Sequence, residues 1–128
     1  MITEKEHINE IPPDVVHLEY MIPDKINFEI PKTITTFYIT NWYRYDLSFL
    51  NDTNITTLGI WREDKLLNNI PLNIEHLIVK NLYYPLENLP ITLRTLTIYN
   101  CQDRTIIDKS KIPFGCVIFI KDKVYENI

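Results

Sequence analysis

Alanine is absent from this sequence of 128 residues, and glycine occurs only twice. Alanine is the strongest helix former. Isoleucine, asparagine, lysine and tyrosine are abundant instead, so we do not expect long helices to be the main component of the fold. The two glycines, Gly59 and Gly115, are too few and too far apart to form a phosphate-binding loop.

Long hydrophobic runs and basic stripes are also missing. No run approaches the roughly 20 apolar residues needed to span a bilayer, and the polar start Met1-Ile-Thr-Glu-Lys-Glu6 does not resemble a signal peptide. The net charge of −4 is spread along the chain, so a phosphate backbone would meet little electrostatic attraction. We therefore expect a cytoplasmic protein with neither a membrane nor a nucleic acid as partner.

Residues that carry chemistry are scarce, with two cysteines and three histidines. There is no Cys-x-x-Cys and no His-x-x-x-His pair, so we predict no metal site and no cofactor. In the cytoplasm Cys101 and Cys116 are expected to be reduced thiols. A nucleophilic cysteine needs a histidine as base, and we expect His76 to lie at the far end of its strand from Cys101. We predict no catalytic residues and no enzymatic activity.

One pattern recurs along most of the chain. The stretch Ile70-Pro-Leu-Asn-Ile-Glu-His-Leu-Ile-Val-Lys-Asn81 has apolar residues at its fifth, eighth and tenth places, and similar units begin at Ile11, Ile30, Asn51 and Leu89. The fifth-place residues lie 19, 21, 19 and 19 positions apart: Val15, Ile34, Ile55, Ile74 and Leu93. A fixed period near twenty residues predicts a solenoid.

Each unit has the pattern of a half-buried strand. Its run from the fifth to the tenth place is rich in Ile, Thr, Tyr and Val, and the last half alternates with period two. The eighth and tenth places should point inward, and the seventh, ninth and eleventh outward. About ten residues follow, which leaves room for a short 3₁₀ turn or an extended segment on the convex side. These linkers end in a second apolar point: Ile26, Leu47, Leu66, Leu86, and Ile106 or Ile107.

The fold class predicted from these units is mostly β, a solenoid of the α/β class with about six rungs and one parallel sheet. Residues 1–10 would form an N-terminal cap, since solenoids need a polar cover over the end of the core. Residues 11–111 hold five repeats. Residues 112–128 hold a degenerate repeat, out of register by one residue, and a C-terminal cap in which Cys116–Ile120 pairs with Val124–Glu126 as a hairpin.

Asparagine at the twelfth place completes the pattern in three units: Asn41, Asn81 and Asn100. The spacing of apolar residues before it resembles a leucine-rich repeat, in which this asparagine turns inward and satisfies unpaired backbone groups. The segment Pro85-Leu-Glu-Asn-Leu-Pro90 resembles the FNIP repeats of amoebae and amoebal giant viruses. The resemblance covers roughly residues 11–120, although the Phe-Asn element is missing and Asn51-Asp52 replaces an Ile-Pro pair. It implies a binding module, in the host cytoplasm if the protein is viral, or an adaptor for a ubiquitin ligase, although no F-box is present.

The outward places hold large apolar residues where Thr or Lys would suffice. Tyr38, Trp61, Ile78 and Tyr99 should gather around Gly59, which would leave a shallow dip. We predict that these four residues bind a protein or peptide partner, with a rim of three further residues: His76, Lys80 and Arg94. Trp and Tyr often anchor interfaces, but the alternative is that they only stabilise cross-strand pairs. A second functional hypothesis is a structural subunit, possibly viral, in which the same aromatic face or an end strand forms a homo-oligomer.

Overall fold

The computed structural model describes residues 15–20, 30–39, 47–61, 70–82, 85–86, 88–101, 104–120 and 123–127. The strands are β1 His17–Tyr20, β2 Thr36–Ile39, β3 Thr57–Ile60, β4 His76–Leu82, β5 Thr95–Cys101, β6 Val117–Ile120 and β7 Lys123–Asn127. Short 3₁₀ turns occupy Leu47–Leu50, Arg104–Ile106 and Lys109–Lys111. Within these ranges there is no other helix, and none is long and apolar enough to cross a membrane.

All seven strands lie in one sheet in sequence order. β1 to β6 are parallel, and β7 pairs antiparallel with β6. The chain is therefore a mostly β parallel solenoid of about four turns with one six-stranded parallel sheet. The predicted parallel sheet and the predicted C-terminal hairpin are both confirmed, whereas the solenoid has about four turns and not the predicted six rungs. The predicted cap over residues 1–10 lies outside the described residues.

The strand register follows the sequence period. Leu58 pairs with Leu77 and Leu77 with Leu96, so that eighth places stack on eighth places throughout. The eighth-place residues from Leu18 to Leu96 are all buried, and so are the described tenth-place side chains from Ile39 to Ile98. The fifth-place residues form a third buried column: Ile34, Ile55, Ile74 and Leu93. No rung could bury these side chains alone, so the core is continuous along the stack.

The described turns that contain proline before the strands all have the same type of backbone hydrogen bond. The carbonyl of the proline accepts from the amide three residues later, at 3.1 Å for Pro31 and Ile34 and at 3.0 Å for Pro90 and Leu93. The third unit differs because Asn51-Asp52 replaces the Ile-Pro pair. There the 3.2 Å bond runs from the Thr53 amide to the carbonyl of Leu50, whose side chain is fully buried.

Side chains at the fourth place form hydrogen bonds to the neighbouring rung. Asn73 Nδ2 donates to the carbonyls of Leu50 and Ile55 at 3.1 and 2.8 Å. One rung on, Thr92 Oγ1 donates to the carbonyls of Leu72 and Ile74 at 2.5 and 3.2 Å. These bonds satisfy carbonyl groups at the turns that the sheet ladder does not reach.

The twelfth-place asparagines match the expectation only in part. Asn81 Nδ2 donates to the carbonyl of Trp61 at 2.9 Å, as the resemblance implied. Asn100 is exposed, and its amide donates to the Asn81 side chain at 3.2 Å rather than to backbone. The reason is that β4 and β5 stay paired beyond the asparagines, up to Leu82 and Cys101. Asn41 lies outside the described residues.

The described parts of the linkers cover the side of the core opposite the sheet. Leu47 and Leu86 are buried, and Ile106 and Ile107 are partly buried against the same cluster. The predicted points at Ile26 and Leu66 fall outside the described residues.

The sixth unit loses one residue between its turn and its strand. The Cys116 amide donates to the Pro113 carbonyl as Leu93 does to Pro90, yet Val117 already pairs with Thr95. Gly115 has φ +87, a conformation that favours glycine. The predicted one-residue break in register is thus confirmed, and the missing residue lies between the turn and β6.

Candidate functional site

Two rows of outward-facing residues cross the sheet. The ninth places of β2 to β5 pair in the order Tyr38, Gly59, Ile78 and Thr97. Trp61, Lys80 and Tyr99 stand at the eleventh places beside them. The Met21 and Thr40 positions of this second row lie outside the described residues.

The two rows enclose a cavity of ≈ 270 Å³. Five of the seven predicted partner-binding residues line it, together with Gly59 and the edge of Ile60: Tyr38, Trp61, Ile78, Lys80 and Tyr99. The structure therefore brings together residues that lie up to 61 positions apart in sequence, from Tyr38 to Tyr99, because the solenoid period places them on successive strands.

Gly59 does not leave an open dip. A Cβ at this position would lie 2.7 Å from Cδ1 of Tyr38 and 3.0 Å from its Cγ, so the Tyr38 ring covers the glycine. The backbone of β3 is thus shielded by an aromatic ring from β2. The expectation of a dip at Gly59 itself is therefore wrong in detail. The hollow lies beside Tyr38, towards Trp61 and Ile78.

Trp61 is held from both neighbouring rungs. Its backbone amide donates to the Ile39 carbonyl at 3.1 Å, and its carbonyl accepts from Asn81. Its ring packs edge-on against Tyr38, with centroids 6.1 Å apart and planes at 83°. Lys80 Nζ lies 4.0 Å from the ring centroid, a cation–π contact. The indole Nε1 is buried and has no acceptor among the described residues.

Tyr38 also contacts the first rung. Its ring centroid lies 4.8 Å from that of His17, and His17 Nε2 lies 3.3 Å from Glu19 Oε1. Burial raises the pKa of Tyr38, and the nearby Tyr99 and Glu19 raise it further. The phenol therefore stays neutral at physiological pH and can donate a hydrogen bond.

The other two predicted rim residues lie elsewhere. His76 faces Thr95, with 2.8 Å between Nδ1 and Oγ1, and it does not line the cavity. Arg94 lies in the turn before β5, where its Nε pairs with Glu75 Oε1 at 3.0 Å. Arg94 stands at the sixth place, before the strand begins. The cavity is lined mainly by residues at the ninth and eleventh places, so Arg94 lies outside it.

The described residues contain no group of three or more His, Cys, Asp and Glu that could hold a metal ion. His17 and His76 stand three strands apart. His76 and Cys101 lie on paired strands but six positions apart in register, which corresponds to roughly 20 Å. Cys116 is fully buried, and burial raises the pKa of its thiol.

Two surface features escaped the sequence reasoning. Phe119 pairs with Thr97 and extends the ninth-place row by one strand. Leu72, Ile91 and Phe114 are 65%, 83% and 96% exposed at the third places of three successive turns. We call these three residues the apolar ridge. The signal for the apolar ridge was present in the sequence, at the third places of the last three units, whereas Phe119 stands at an eighth place in sequence and joins the ninth-place row only because the sixth unit lacks one residue.

Searches against family models, curated proteins and solved structures found no match. The architecture is thus assigned from the structure itself, as a parallel β-solenoid with a single parallel sheet and no identified family.

Proposed function

We propose that this protein is a non-enzymatic interaction module that binds a protein or peptide through the outer face of its sheet. The observation that carries the proposal is the cavity formed by Tyr38, Trp61, Ile78, Lys80 and Tyr99. Cross-strand packing alone would account for neighbouring aromatic residues. It gives no reason for a hollow of ≈ 270 Å³ between them, or for a buried indole donor without an acceptor in the described part of the chain.

The test is Trp61→Ala in a pulldown from the native cell. We expect loss of the captured partner with an unchanged circular dichroism spectrum, since Trp61 lies after the end of β3 and outside the core. Val16→Ala is the matched control, because it also removes apolar surface from an exposed position but lies outside both the cavity and the apolar ridge. Retained capture by the Trp61 variant would reject this site.

The repeat itself belongs to the same proposal. We assign it as a leucine-rich-repeat variant that resembles the FNIP repeats, in the cytoplasm, or in the host cytoplasm for a viral protein. The bond from Asn81 to the Trp61 carbonyl supports this assignment, and the exposed Asn100 departs from it. An adaptor role for a ubiquitin ligase would follow only from the resemblance and would need a second protein.

Self-assembly is the second candidate, and a different surface favours it. The three exposed side chains of the apolar ridge, Leu72, Ile91 and Phe114, border a hollow of ≈ 430 Å³ that Glu75 and Arg94 also line. Contiguous exposed apolar residues are typical of contact surfaces. Light scattering over a range of concentrations separates the candidates, because a concentration-independent monomer excludes self-assembly.

A further inference from the structure

The cavity beside Trp61 has a single charged wall. Lys80 is the only charged residue among the described side chains that line it. Its Nζ lies over the Trp61 ring, 4.0 Å from the ring centroid. Lys80 is exposed, so its ammonium group, which carries three donors, is accessible to a ligand.

The aromatic walls do not suit a cationic ligand. Tyr38, Trp61 and Tyr99 could surround a cation, since ring faces attract positive charge. Lys80 already occupies the face of Trp61 at 4.0 Å. A second cation in the cavity would be repelled by the Lys80 ammonium group at short range. The electrostatics therefore favour a negatively charged group.

Charge changes sign across the rungs. Glu19 on β1 pairs in register with Tyr38 on β2 and lies beside His17. Lys80 stands on β4, two strands beyond Tyr38. A carboxylate of a ligand would be repelled at the β1 end and attracted at the β4 end, which gives the bound segment a direction across the sheet.

The size of the cavity limits what can enter. Pockets for small molecules and cofactors commonly measure roughly 300–1,000 Å³. The volume of ≈ 270 Å³ lies just below this range and is large enough for one side chain of a larger partner. Ile78 and the rings of Tyr38 and Trp61 provide an apolar environment for it.

We propose that the cavity binds a peptide segment of a partner protein in which an aromatic or aliphatic side chain adjoins an acidic one. The apolar side chain lies between Tyr38, Trp61 and Ile78, and the carboxylate accepts hydrogen bonds from Lys80 Nζ. This assignment rests on the proposed function, which it extends to the chemical class of the partner.

The test uses the full chain immobilised and three pools of peptides capped at both ends. The pools share a central Phe followed by Glu, Gln or Lys, with randomised flanks. We expect the Glu pool to be retained about fivefold better than the Gln pool, the scale of one exposed ion pair, and the Lys pool least. Lys80→Gln should remove the difference between Glu and Gln, and Lys80→Glu should reverse the preference in favour of the Lys pool. Higher salt should reduce the preference for Glu.

Trp61→Ala separates failure of this inference from failure of the proposed site. If all three pools are retained equally and Trp61→Ala abolishes that retention, the preference for an acidic residue is overturned but the proposed site is not. Retention that Trp61→Ala does not affect would overturn both. A Glu preference that survives in Lys80→Glu, or no retention of any pool, would also overturn the inference.

Discussion

Tyr38 and Gly59 act as one unit on the outer face, because the tyrosine ring occupies the space that a side chain at position 59 would need. The ring covers the β3 backbone, packs edge-on against Trp61 and forms one wall of the cavity. A cross-strand aromatic ring over a glycine thus connects local backbone packing with the shape of the candidate binding site.

Gly59→Ala should therefore destabilise the protein by about 1–3 kcal/mol, the usual cost of inserting a methyl group into a packed region. The added Cβ would lie 2.7 Å from Cδ1 and 3.0 Å from Cγ of Tyr38, so the whole ring would have to shift. The measurement is the free energy of unfolding in urea. In a Tyr38→Ala background the same substitution should cost far less, and an equal loss in both backgrounds would contradict the contact.

At the scale of the elements, the turns contribute to the stacking of the rungs as well as the strands. The strands pair through their ladders, but the carbonyls of the turns need other donors. Asn73 and Thr92 at the fourth place supply them from the following rung. A polar residue at this place stabilises the interface between two units rather than one turn.

Asn73→Ala should destabilise the protein by about 1–3 kcal/mol, because it removes the donor to the Ile55 carbonyl and one of the donors to the Leu50 carbonyl, which keeps its bonds from Thr53. Asn54→Ala is the matched control, since Asn54 Nδ2 donates at 2.9 Å to one exposed carbonyl, that of Lys32. Thermal unfolding of both variants gives the comparison. If Asn54→Ala costs as much as Asn73→Ala, the second bond of Asn73 is not important for stability.

At the scale of the whole molecule, stability is shared between neighbouring rungs. Each parallel strand contacts only the strands before and after it in sequence, so stability is approximately a sum of unit and interface terms. Units near an end open at lower free energy than central ones. Cys116 reports on this behaviour, because it is fully buried in the turn that leads into β6, the last parallel strand.

A thiol reagent should modify Cys101 in the native protein well before Cys116. Cys101 is partly exposed, whereas Cys116 is buried and its thiol pKa is raised, so little thiolate is present or accessible. Labelling of Cys101→Ser, which keeps only Cys116, should be slow in buffer and fast in urea. Labelling of Cys116→Ala is the control. Rapid native labelling of Cys116 would show that the last rung is open.

The repeat period determined the architecture and most of the site from the sequence alone. In a solenoid the neighbour of each residue is the residue about twenty positions away, so alignment of the units predicted the register, the buried columns and the grouping of Tyr38, Trp61, Ile78, Lys80 and Tyr99. The period is a property of the chain, and it sets which backbone positions meet.

Only the tertiary structure decided how side chains use those positions. It placed the Tyr38 ring over Gly59 and Lys80 over Trp61, paired Arg94 with Glu75 away from the cavity, and turned Asn100 towards the Asn81 side chain instead of backbone. Each of these outcomes is a choice among rotamers and partners that depends on the volume and charge of side chains from several rungs at once. A linear pattern specifies the face on which a residue stands, whereas packing against its neighbours in space selects its contacts.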